Sequence, residues 1–172
     1  MLERLFSLLL PVKTCADLIK PIAENNVCSG GGGGYAVEKE SDRAELIRRN
    51  VKHLSARSVT VVEGEAPEAL EGLPAPTHLI VEGAEGRLFS ILQEVFQKSP
   101  GARAVILADT LEAKTELAQL LSGSVLTDYT IQEPEYIELN VSHNRKLGRH
   151  HALKAESPVA ILSFRFGRRP GA

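Results

Sequence analysis

Short β-branched runs that stop at an acid followed by glycine constrain this chain most, because each must leave an extended segment and turn toward a helix. Val59–Val62 stops at Glu63-Gly64, and His78–Val81 stops at Glu82-Gly83. Each run suits a buried parallel strand. Apolar runs and helical stretches alternate on both sides of them. Tyr35–Glu38 predicts a short strand, and Ser41 is expected to cap a helix whose Ala44, Ile47, Val51 and Leu54 fall at helical spacing. The other side of that helix, with Arg43, Arg48, Arg49 and Lys52, reads as a solvated charged face. Ala66–Leu70 predicts one short helical turn, and Gly72–Pro76 a loop whose prolines resist pairing. From Arg87 onward, Leu88, Ile91, Leu92, Val95 and Phe96 mark a helix that Pro100-Gly101 ends. Arg103–Ala108 returns as a strand. Asp109 with Glu112 is expected to cap a helix toward Leu121, closed by Ser122-Gly123. Asp128–Val141, broken at Pro134, and Pro158–Phe166 then predict two strands without a helix between them, hence an antiparallel pair at the edge of a mainly parallel sheet. The class is α/β.

At 172 residues the chain is read as a single domain, 1–172, with 1–34 as a divergent leading segment containing a glycine-rich linker. Twenty basic against 22 acidic residues give a net charge of -2, which lacks the cationic excess that nucleic-acid binding exploits. No nucleic-acid partner is expected. Cys15 and Cys28 form neither a CxxC pair nor a ligand set with histidine, so no disulfide framework and no metal site are expected, and a reducing cytoplasm fits best. Leu5–Val12 is apolar but too short to span a bilayer and carries Pro11, so no membrane or secretion signal is read.

In an open α/β sheet, ligands bind beyond the carboxyl ends of the strands. Glu38, Glu63-Gly64-Glu65 and Glu82-Gly83 occupy those positions. A carboxylate there can accept hydrogen bonds from both hydroxyls of a ribose, and Glu38 is the candidate for that task. Glu63 and Glu65 form a weaker candidate acid/base pair, since alternation across Gly64 does not oblige them to share a pocket. Gly30–Gly34 precedes a strand rather than a helix and matches no phosphate-binding pattern, so it reads as a linker or wide turn. His143, His150 and His151 share one polar connection with Arg145, Lys146 and Arg149. The histidines read as a solvent-facing loop and the three cations as candidates for binding an acidic small molecule.

The strings Tyr35-Ala36-Val37-Glu38, Glu45-Leu46-Ile47-Arg48-Arg49-Asn50 and Val61-Val62-Glu63-Gly64-Glu65-Ala66-Pro67-Glu68-Ala69-Leu70, with a tail from Val141-Ser142 through Leu147-Gly148, Leu153, Ala155, Pro158-Val159 and Ile161, resemble the decarboxylating precorrin methyltransferases of cobalamin synthesis, in the half that methylates carbon 15. The resemblance implies a class I, Rossmann-like methyltransferase fold. It also implies S-adenosylmethionine as cofactor, a precorrin tetrapyrrole as substrate, and a homo-oligomer. By position, Glu38 would hold the cofactor ribose, and Gly64, Glu65 and Ala66 would lie beside the adenine. Arg145, Lys146 and Arg149 would draw the substrate's acidic arms. The family's glycine-rich cofactor loop corresponds to Lys13–Ile19, which has no glycine here, and its glycine-rich segment after the fourth strand corresponds to Glu82–Gly86. Those differences give a second reading, a non-catalytic relative that binds tetrapyrrole or supports assembly.

Overall fold

The computed structural model describes residues 33–54, 58–123 and 128–168. Lys13–Ile19, Leu5–Val12, both cysteines and Gly30–Gly32 lie outside the described residues. The chain divides into two compact units, Met1–Leu73 and Pro74–Ala172.

In the first unit, β1 (Gly34–Glu38) pairs in parallel with β2 (Val59–Glu63), Gly34 opposite Val59 and Glu38 opposite Glu63. Helix α1 (Ser41–His53) connects them, as a parallel pair requires. Alternation turns Ala36 and Val59 toward α1, where they form a small core with Ile47 that Val51 and Val61 flank. Leu54, expected on the apolar stripe, is the residue that ends the helix and is 41% exposed. Ser41 does not cap α1. Glu40 holds that place with no side-chain cap bond, and Ser41 is the first helical residue. After β2 the chain closes into a short 3-10 turn, Glu68–Leu70.

The second unit holds a four-stranded sheet of β3 (His78–Glu82), β4 (Arg103–Ala108), β8 (Val159–Arg168) and β5 (Tyr129–Leu139), in that order. β3 and β4 are parallel and joined by α2 (Leu88–Lys98). α3 (Leu111–Ser122) then leads to β5, and β8 inserts antiparallel between β4 and β5. Parallel strands followed by an antiparallel C-terminal pair are the arrangement expected. One buried face carries Ala104, Ile106 and Ala108 from β4 and Ala160, Leu162, Phe164 and Phe166 from β8. The apolar stripe of α2 covers it, with the Phe96 ring 4.9 Å from Tyr129 and 6.0 Å from Phe166. This packing is why Leu88, Ile91, Leu92, Val95 and Phe96 recur at helical spacing in the sequence.

Three local expectations change. Thr110, not Asp109, caps α3: its hydroxyl accepts the Ala113 amide at 3.2 Å, the three-residue reach of a cap, while Gly123 closes the helix at φ 67°. Thr60 of β2 and Ile80 of β3 are exposed and only Val59 and Val81 are buried, so neither strand is buried throughout. The polar connection between β5 and β8 is itself a hairpin, β6 (Ser142–Leu147) against β7 (His150–Ala155). On β5, which has one edge unpaired among the described residues, Pro134 sits beside a register shift, with Glu133 at φ 51°.

Candidate functional site

The carboxyl ends of β1 and β2 bring two predicted residues, Glu38 and Gly64, into contact, and two more, Glu65 and Ala66, follow Gly64 directly. Because Glu38 and Glu63 are in register, the residues that follow them emerge side by side, and the Gly64 amide donates to the Glu38 carbonyl at 3.0 Å. That bond extends the ladder one step past β2 and sets Gly64 against the end of β1, with Glu65 and Ala66 following it in the chain. The Glu38 side chain is half-buried. Its Oε1 accepts the Glu40 amide at 2.9 Å, while among the described residues its second oxygen has no protein partner. A carboxylate held at one oxygen and open at the other suits the paired hydroxyls of a sugar.

Gly64 makes the turn possible. It stands at φ 156°, and a Cβ there would lie 3.1 Å from the Ala69 Cβ. Ala69 is fixed in turn by its amide, which donates to the Glu65 carbonyl at 2.9 Å, and Leu70 donates to Pro67 at 2.8 Å. The stretch after Gly64 is therefore a tied loop with its own internal bonds. Ala66 is half-buried and Glu65 exposed.

Glu63 does not form an acid/base pair with Glu65. Both its oxygens are taken by α1: Oε1 by the Ser41 hydroxyl at 2.5 Å and Oε2 by Arg48 Nη2 at 3.0 Å. The Ser41 hydrogen bond, then Arg48, hold its carboxyl below the ordinary carboxylate range. Arg48 also lies 3.7 Å from Glu45. The helix face read as merely solvated thus contains one residue with a defined partner across the strand end. A Ser or Arg on α1 and an acid at the end of the next strand gave the signal, but only the register shows that they meet.

Arg145, Lys146 and Arg149 lie on the β6–β7 hairpin, which is exposed except around Ala152. Arg149 follows Gly148 in the two-residue turn, where Gly148 takes φ 59°. Neighbours along a strand point to opposite faces, so Arg145 and Lys146 diverge. Arg145 shares its face with His143, His150 and Lys154, and Lys146 with Asn144 and His151, whose Nδ1 is 3.0 Å from Asn144 Oδ1. Lys154 was missed because it falls beyond the histidine-rich centre of the segment, yet no acid interrupts the chain from Ser142 to Ala155. Elsewhere in the second unit, the Glu82–Gly86 loop takes positive φ at Gly83, Glu85 and Gly86. Its backbone is glycine-like even where glutamate stands. Among the described residues no three His, Cys, Asp or Glu are grouped to hold a metal, and no helix is long and apolar enough to cross a membrane.

The family model for the precorrin methyltransferase domain matches residues 29–165. A probable cobalt-precorrin-6B C(15)-methyltransferase (decarboxylating) of Sulfurisphaera tokodaii is 31% identical over 141 residues, covering 81% of this chain and 68% of the relative. Its counterpart in Methanothermobacter thermautotrophicus is 32% identical over 130 residues, covering 74% and 65%. The chain spans about two thirds of the length of these relatives. Among solved structures, the precorrin-6y C5,15-methyltransferase of Geobacter metallireducens superposes with a TM-score of 0.65 at 28% identity, over 78% of this chain and 68% of that one. The fold is that of class I methyltransferases, and the chain belongs to the precorrin methyltransferase family.

Proposed function

We infer that this chain is an S-adenosylmethionine-dependent methyltransferase that acts on a precorrin of cobalamin synthesis, methylating ring carbon 15 as an acetate arm loses carbon dioxide. The observation that carries the reading is the register at the ends of β1 and β2, which sets Glu38 at the end of one strand beside Gly64, where the Gly64-Glu65-Ala66 stretch begins at the end of the other. These residues fit the nucleoside part of the cofactor by their chemistry: an acid for a diol, and small residues at Gly64 and Ala66 for a flat base. When bound, the cofactor supplies an activated methyl group, so the protein needs no side-chain nucleophile of its own. Its work is proximity and orientation. Glu38 grips the sugar, and Gly64, Glu65 and Ala66 flank the adenine. Arg145, Lys146 and Arg149 attract the carboxylate arms of the tetrapyrrole, with Lys154 on the same face as Arg145. The reading takes residues 1–172 as one methyltransferase-like domain that works as a homo-oligomer in the cytoplasm.

The absence of glycine from Lys13–Ile19 favours one rival, a subunit that binds tetrapyrrole without transferring methyl. Incubation with a cobalt-precorrin and methyl-labelled S-adenosylmethionine separates the two. Label in the tetrapyrrole together with release of carbon dioxide is the expected result. A spectral shift of the tetrapyrrole without label transfer overturns the enzymatic reading.

A further inference from the structure

We propose that Glu63 is a positioning residue that locks the two halves of the nucleoside rim together. The proposal rests on the cofactor reading of Glu38 and Gly64–Ala66. Glu63 precedes Gly64 in the chain, so any movement of its backbone is passed to the base-side loop. Its side chain meanwhile grips α1 at two points, Ser41 at 2.5 Å and Arg48 at 3.0 Å. Those residues are seven apart, two turns of helix, and therefore share one face. A bond at one point would leave the helix free to rotate about it, whereas two points along the axis fix both rotation and slide. The fixed helix begins just after Glu40, whose amide orients the Glu38 carboxylate at 2.9 Å. Glu63 is thus joined covalently to the base side and through α1 to the sugar side.

Stability alone is a poor account of this arrangement. Arg48 and Glu63 are exposed by 42% and 40%, where an ion pair adds little to folding. Orientation of the Glu38 carboxylate on the adjacent strand is a purpose that such a pair can serve, because a small angular error at Glu38 separates it from one of the two hydroxyls it must meet.

The test measures S-adenosylmethionine affinity by calorimetry in the full chain for the parent, Glu63→Ala, Glu63→Gln, Ser41→Ala and Ser41→Thr, with urea melts alongside. Glu63→Ala is expected to weaken binding about five- to tenfold, as loss of one net hydrogen bond does, with little change in the melts. Ser41→Ala is expected to weaken it less, and Ser41→Thr, which keeps the hydroxyl, to restore it. Combined with Glu38→Gln, Glu63→Ala should add less than its single effect, because it acts through Glu38. Parent-like affinity in both Glu63→Ala and Ser41→Ala, or full additivity with Glu38→Gln, overturns the positioning role. If Glu63→Ala fails to fold, Glu63→Gln and Ser41→Ala decide the matter by the same criteria. Failure of the parent chain to bind the cofactor overturns the underlying reading instead.

Discussion

Replacing Gly64 by alanine tests the turn on which the proposed base side of the rim depends. Two costs are legible in the structure. The backbone stands at φ 156°, and a residue with a Cβ held in such a sparsely populated region costs about 1 to 3 kcal/mol. The new methyl would also meet the Ala69 Cβ at 3.1 Å, shorter than the usual carbon contact, against a residue that its own amide bond to Glu65 holds in place. Overpacking of that kind costs about 1 to 3 kcal/mol by itself. A backbone shift relieves part of both, so the expected loss is about 2 to 4 kcal/mol. Urea denaturation of Gly64→Ala, Ala69→Gly and the double variant separates the two terms. Ala69→Gly removes the clashing methyl but leaves φ unchanged, so the double variant should recover only the overpacking part, about 1 to 3 kcal/mol relative to additivity, and not the backbone part. A loss below about 0.5 kcal/mol in Gly64→Ala, the level of an ordinary surface change, would refute the reasoning about this turn.

Other perturbations have equally definite outcomes. Leu162→Ala, at a fully buried position on β8 between β4 and β5, should cost about 2 to 5 kcal/mol in urea melts. Glu133→Gly should stabilise the β5 bulge by about 0.5 to 1 kcal/mol, since it relieves a φ of 51° at a site whose ion pair with Arg165 is long and exposed. Glu63 has its folded-state pKa depressed, so its contribution is present above the ordinary carboxylate value of 4.5 and is lost as pH falls through the folded value. The stability gap between the parent and Glu63→Gln, small because the pair is exposed, should therefore narrow on acidification below that point, and a gap that widens there would contradict the pairing. Burial, with Asp128 nearby, pushes the Tyr129 phenol up to about 12. Ultraviolet titration should show a phenolate component near that pH that Tyr129→Phe removes, and folded stability should fall as pH rises from about 10 toward it.

What the sequence revealed depended on how locally each feature is encoded. Strands such as Arg103–Ala108 and the helix carrying Leu88, Ile91, Leu92, Val95 and Phe96 were legible because burial on one face writes its own period into the chain. Gly123 ended its helix as expected, since a left-handed residue after the last turn favours glycine. The β6–β7 hairpin was not legible. Its strands are exposed on both faces, so His143, Arg145, Lys146 and Lys154 carry no apolar alternation, and only the Gly148 turn hints at pairing. At the candidate site, Glu38 and Gly64–Ala66 could be named from their places at strand ends and from the family resemblance. The Ser41–Glu63–Arg48 contacts could not, because they join residues on different elements through the register of β1 with β2. Ser41 illustrates the difference: a hydroxyl expected to serve its own helix is spent on a neighbouring strand.

The most direct measurement is calorimetric titration of S-adenosylmethionine into the full chain and into Glu38→Ala and Glu38→Gln. Micromolar binding by the parent, lost in Glu38→Ala and strongly weakened in Glu38→Gln, is the expected result. No heat from the parent at millimolar cofactor, or the same affinity in all three proteins, would contradict a nucleoside site at the ends of β1 and β2.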